Sequence, residues 1–165
     1  MTEYDFQDLS VLVCDDSLQI RALVKTCLMA FGVKTILDAA NAEAAFEQLI
    51  DKKPDLVITD WALGESDGLD LVRRVRNDMD SPNPYVPIIM LTGYTEMDRV
   101  EIARDAGVST FLAKPMSADS LLKRMIALVE DERPFIRAMN FFGPDRRFHA
   151  AEDFGGADRR GDAAA

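Results

Sequence analysis

Four short, predominantly apolar runs most restrict how this chain can fold: LSVLVC (residues 9–14), DLVIT (55–59), VPIIML (86–91) and STFLA (109–113). A strand with one face in water alternates apolar and polar residues, whereas these runs are continuous, as in strands covered by helices on both faces. A weaker fifth run, VKTILDA, lies at 33–39. Helical periodicity fills the gaps. Ile20, Leu23, Val24, Cys27 and Leu28 keep i, i+3, i+4 spacing and stop before Gly32; Asn41 is placed to cap AEAAFEQLI, which Pro54 follows. Leu69, Val72, Arg73 and Arg76 continue the pattern after Gly68, residues 97–106 end at Gly107, and Leu121, Leu122, Met125, Ile126 and Val129 share one face of a last helix.

Strand then helix, five times over, predicts an α/β fold: a doubly wound (βα)5 parallel sheet of five strands with helices on both faces and right-handed crossovers. Ligands of such sheets bind beyond the carboxyl ends of the strands. At those ends the sequence places Asp15 and Asp16 after the first run, Asp60 after the third strand, Thr92 after the fourth and Lys114 after the fifth. Like charges gathered together are tolerated when a cation sits among them. Three carboxylates form a hard oxygen site suited to Mg²⁺, which takes few protein ligands and shares phosphate oxygens. A hydroxyl and an ammonium at the same edge match the remaining oxygens of a phosphoryl group, and Asp60 could act as its nucleophilic acceptor. Singly, each residue has an ordinary explanation as turn former, helix cap or solvated charge. All five at the correct strand ends do not.

The segments VCDDS, VITDWALGESDG, IMLTG and FLAKP resemble, in order and spacing, the signature segments of the receiver domain of two-component response regulators (CheY-like, with the flavodoxin-like fold). The resemblance spans about residues 9–130. It implies that Asp60 accepts a phosphoryl group from a sensor histidine kinase or histidine phosphotransfer protein. It further implies that Asp15, Asp16, Asp60 and the backbone carbonyl of Ala62 hold Mg²⁺, and that Thr92 and Lys114 contact the phosphoryl oxygens. Phe111, three residues before Lys114, matches the family's switch aromatic, and the Lys114–Pro115 bond is expected to be cis. Where the family often has Met-Pro after the acceptor, this chain has Leu63 and Gly64. Switching is expected on the face built from the fourth helix, fifth strand and fifth helix, to which Tyr94, Met97, Val100, Ala103 and Arg104 are candidates.

Composition narrows the function classes. No apolar run approaches the roughly 18–20 residues that span a bilayer, and the first residues, MTEYDFQD, lack the order of a signal peptide. A cytoplasmic protein is expected, with Cys14 and Cys27 as reduced core residues. A net charge of −10 opposes general nucleic-acid binding. Residues 1–130 read as the receiver and 131–165 as a largely irregular, flexible extension with prolines and a glycine pair. The receiver carries 13 basic against 22 acidic residues, the extension 6 against 7, every base there an arginine. The extension is too short for a DNA-binding domain, so output is expected through another protein, with the chain a monomer or a phosphorylation-dependent dimer. Asp-Arg-Arg occurs at 145–147 and again at 158–160. Arginine forks suit carboxylates and phosphates. One alternative reading is therefore a pseudo-receiver or docking module whose extension, through Phe141, Phe142, Arg146 and Arg147, binds a partner or a nucleotide such as cyclic di-GMP. His149, the sole histidine, has no companion ligand nearby in sequence. A phosphatase of the haloacid-dehalogenase type needs a second acid two residues after its nucleophile, where this chain has Ala62. A phosphoacceptor signalling protein rather than an enzyme is the expectation.

Overall fold

The computed structural model describes residues 4–93 and 99–130, together with the backbone of 135–138 and 141–144. In chain order the elements are β1 (Ser10–Cys14), α1 (Leu18–Ala30), β2 (Thr35–Ala39), α2 (Ala42–Lys52), β3 (Leu56–Asp60), β4 (Ala62–Leu63), β5 (Ser66–Asp67), α3 (Gly68–Asn77), β6 (Ile88–Thr92), α4 (Val100–Ala106), β7 (Thr110–Ala113), α5 (Ala118–Val129), β8 (Phe135–Ala138) and β9 (Phe141–Pro144). β1, β2, β3, β6 and β7 form one parallel sheet in the order β2-β1-β3-β6-β7. The five-stranded doubly wound sheet predicted above is present.

Alternate residues of each strand serve opposite faces of the sheet. Leu12, Cys14, Val57, Ile88 and Met90 pack with Phe46, Leu49 and Val72 of α2 and α3. Val11, Val13, Ile58, Ile89 and Leu91 pack with Val24, Leu28, Leu121 and Met125 of α1 and α5. β3 and β6 are buried at every residue, whereas the edge strand β2 is exposed or half-buried until Ala39. Its run was the weakest for that reason. Leu23 and Val129 keep the helical spacing but lie exposed, at the margins of their apolar stripes.

The sequence also closes its helices locally. Ser17, Asn41, Asp67 and Ser117 each accept a backbone N–H of the following first turn, and Ser120 completes a capping box with Ser117. Lys53 ends α2 in the left-handed region at φ 50°, which costs a residue with a Cβ roughly 1–2 kcal/mol. Lys53→Gly is expected to raise stability by about 0.5–1 kcal/mol once the greater freedom of glycine in the unfolded chain is deducted. Urea denaturation of the two proteins checks this.

Within 131–165, β8 and β9 pair antiparallel, with Phe135 opposite Pro144 and Ala138 opposite Phe141. The backbone of β9 lies against α4 and α3. Tyr94, Met97, Arg146, Arg147, His149 and the second Asp-Arg-Arg segment lie outside the described residues.

Candidate functional site

β1, β3, β6 and β7 all end at one edge of the sheet, and the parallel register brings their last residues level. Cys14 sits opposite Thr59, Asp60 opposite Leu91, and Thr92 opposite Ala113. The carboxylates that follow are thereby gathered. One oxygen each from Asp15, Asp16 and Asp60 lies within 4.8 Å of the others. Asp15 and Asp60 are buried and Asp16 is exposed. From the end of β7, Lys114 reaches across to place Nζ 2.7 Å from Asp60 Oδ1. Its backbone N–H donates to the Thr92 carbonyl at 2.8 Å, and Thr92 is buried beside it. The Lys114–Pro115 bond is cis. Ala62, the first residue of β4, is exposed.

Asp15 is held by partners that the sequence did not single out. Its Oδ1 accepts the Ser17 N–H at 2.8 Å, and its carbonyl accepts Arg21 Nη1 at 2.6 Å. Arg21 is fixed in turn by Asp38, whose Oδ2 lies 3.3 Å from Nε. Only the helical spacing of Arg21 from the cap Ser17 hinted at this. Asp15 Oδ2 is buried and accepts no hydrogen bond among the described residues. An anionic oxygen in that position is satisfied by a cation, and three hard carboxylate oxygens at this spacing fit a small divalent ion. Burial, above all, pushes the Asp15 carboxyl from 3.8 up to about 6; the charges of Asp60 and Asp16 push the same way, against the Ser17 N–H and Lys114.

An acid whose pKa is raised by folding binds more protons folded than unfolded between about pH 4 and 6, so stability falls as pH rises through that window and stays lower above it. Asp15→Asn is expected to flatten this slope and to stabilise the metal-free protein at pH 7 by on the order of 1–2 kcal/mol. It should also remove most of the thermal stabilisation that Mg²⁺ confers. Melting curves across pH, with and without Mg²⁺, read all three.

The loop after Asp60 is built rather than merely tolerated. β4 and β5 form a small hairpin, Leu63 opposite Ser66, turned through Gly64 at φ +67° and Glu65. Positive φ suits the primed turns that close two-residue hairpins. Proline, fixed near −65°, could not stand at Gly64. The departure from the family's Met-Pro is therefore a different loop path. Asp67 then caps α3, and the Gly68 N–H donates to the Trp61 carbonyl at 2.6 Å.

Trp61 is the only tryptophan, buried directly after Asp60, with the Arg99 guanidinium carbon 5.1 Å from its ring centroid. On the same flank Phe111 is 5% exposed, its ring beneath Arg104 of α4 at 5.7 Å. Ala103 and Arg104 are thus core residues and Val100 is half-buried, so of the proposed switch face these three point largely inward. The acidic cluster, Thr92, Lys114 and Phe111 are brought together around one strand edge. The arginine side chains of the extension lie outside the described residues.

Residues 11–126 match the model of the response regulator receiver domain. Over 121 residues the chain is 37% identical to the chemotaxis protein CheY1 of Helicobacter pylori, covering 71% of this chain and 94% of that protein. It is 32% identical over 125 residues to the phosphate regulon transcriptional regulatory protein PhoB of Pseudomonas aeruginosa, covering 76% of this chain and 53% of PhoB, so the chain spans about half of that relative's length. Two solved structures share the fold. The chemotaxis response regulator CheY4 of Vibrio cholerae aligns with a TM-score of 0.66 at 28% identity, over 73% of this chain and 98% of that one. The receiver domain of NtrX from Brucella abortus gives 0.67 at 30%, over 74% and 100%.

Proposed function

Because the chain belongs to the response regulator receiver domain family, we propose that it is a phosphoacceptor signalling protein whose acceptor is Asp60 and whose output is a phosphorylation-dependent protein contact. The observation that carries this reading is the convergence of three carboxylate oxygens within 4.8 Å, one of them on Asp60, with Lys114 Nζ 2.7 Å from Asp60. A carboxylate oxygen of Asp60 attacks the phosphorus of a phosphohistidine on a sensor kinase or phosphotransfer protein. The P–N bond breaks, and the imidazole leaves with its electron pair. Asp15, Asp16, Asp60 and the Ala62 carbonyl would hold Mg²⁺, and the ion would supply charge neutralisation for phosphoryl transfer. Lys114 neutralises part of the developing charge from the opposite side, and the Thr92 hydroxyl donates to a phosphoryl oxygen.

The buried aspartyl phosphate then biases an equilibrium between two arrangements rather than creating a new one. Thr92 is drawn toward the phosphoryl group, Phe111 occupies the space behind it, and α4, whose Arg104 lies over Phe111, shifts with it. Among the described residues no element stands apart from the receiver sheet and its helices except the hairpin β8–β9, and no described helix is long and apolar enough to cross a membrane. Incubation with acetyl phosphate and Mg²⁺, read by intact-mass spectrometry, is expected to add one phosphoryl group to the wild type. Asp60→Asn should add none. Equal labelling of both proteins would remove Asp60 as the acceptor.

A further inference from the structure

The hairpin β8–β9 lies beyond the family match, which ends at residue 126. CheY1 is matched over 94% of its own length by 71% of this chain, so this chain is the longer of the two. A two-stranded hairpin is at best marginally stable alone in water. These strands are four residues each. Their pairing therefore draws on the surface that β9 rests on, and that surface is α4, with α3 beside it.

α4 is also the helix tied to the acidic site. At its N-terminal cap Arg99 lies over Trp61, the neighbour of Asp60, and one turn on Arg104 lies over the buried ring of Phe111. Its C-terminal end is pinned. The Gly107 N–H donates to Ala103 and Arg104, and the Gly107 carbonyl accepts Arg76 Nε at 3.0 Å. α4 is thus fixed at one end and lies in contact with both the flank of the site and β9. The docked hairpin and the inward Phe111 occur together in one arrangement.

We propose that the strand pair β8–β9 is a phosphorylation-coupled latch on the α4–α3 shoulder: its docking and the phosphoryl group on Asp60 strengthen one another through α4. This rests on the phosphoacceptor reading and adds to it the surface through which the state of Asp60 reaches the extension. Coupling of this kind is reciprocal, because docking and phosphoryl binding bias the same two arrangements. The first Asp-Arg-Arg segment begins at Asp145, directly after β9.

Hydrogen exchange of the full chain, with and without Mg²⁺ and beryllofluoride, tests this. Amides of 135–144 are expected to exchange about fivefold more slowly or better in beryllofluoride, the lower end of ordinary coupling, alongside slowing at β3. Slowing at β3 with unchanged or faster exchange at 135–144 overturns the latch alone. No change at β3 overturns the phosphoacceptor reading, and the latch with it. A second variant approaches the linkage from the other side. Residues of an antiparallel pair alternate between hydrogen-bonded and non-hydrogen-bonded positions, so Phe142→Pro with Gly143→Pro removes a ladder donor in either phase. This variant should bind beryllofluoride more weakly by the same factor, with exchange at β1 and β3 unaltered in its absence; unchanged affinity contradicts the latch.

Discussion

Arg76→Leu is expected to destabilise the protein by roughly 3 kcal/mol or more, because each buried acceptor left without its donor costs about 1–3 kcal/mol. Arg76 is 1% exposed in the middle of the apolar stripe of α3. Its Nε donates to the Gly107 carbonyl, Nη1 to the carbonyls of Pro84 and Val86 at 2.8 and 2.6 Å, and Nη2 to Ser109 Oγ at 3.3 Å. Burial draws its pKa down from 12.5 to about 9, which leaves it charged at neutral pH. Leucine fills part of the volume but donates nothing, so three carbonyls lose a donor. The loop from Asp78 to Pro87 and the turn after α4 are joined through this one side chain. Chemical denaturation measures the loss. Arg76→Lys should recover only a small part, since one ammonium cannot reach carbonyls arranged around a planar fork.

Gly68→Ala should damage both stability and chemistry. A Cβ at Gly68 would collide with the carbonyl oxygen of Asp60 and come within 3.0 Å of that of Trp61. Both obstacles are backbone, so neither can swing aside. Either α3 retreats from the end of β3 or the acceptor residue is displaced. Overpacking of this kind costs about 3 kcal/mol when the neighbours cannot yield. Displacement of a reacting carboxylate by about 1 Å lowers rate on the order of a hundredfold. The rate of phosphorylation by acetyl phosphate, measured at a temperature where circular dichroism shows the variant folded, separates the two effects. A variant with wild-type rate and midpoint would show that α3 does not constrain Asp60.

Legibility of these features from sequence followed burial. β1, β3 and β6 lie inside the sheet, so both of their faces are apolar and they read as unbroken runs; β2, at the edge and half in water, read weakly. The strand ends were legible because a parallel sheet brings every carboxyl end to one side, which made five polar residues a single site. Arg76 was placed on the apolar stripe of α3 by its spacing, yet nothing in the sequence foretold the carbonyl cage that accommodates a charge there, since its acceptors come from a loop and a turn 8 to 33 residues away. The hairpin around Gly64 was hidden because β4 and β5 are two residues each, below the length at which alternation can be seen. Trp61 is buried with Arg99 over its ring, a contact between elements far apart in the chain that no local pattern shows. In the extension, prolines and glycines masked the pairing of β8 with β9, which lies against α4, an element distant in the chain.

The most direct test of the central claim is to locate the phosphoryl group. An acyl phosphate is an activated carboxyl that borohydride reduces to an alcohol, so protein phosphorylated with acetyl phosphate and Mg²⁺, then reduced, should carry homoserine in place of Asp60 in the peptide spanning β3 and β4. Homoserine at 60, absent without the phosphodonor, is the predicted result. Reduction at Asp15 or Asp16 instead, or a phosphorylated protein with Asp60 intact, would contradict it.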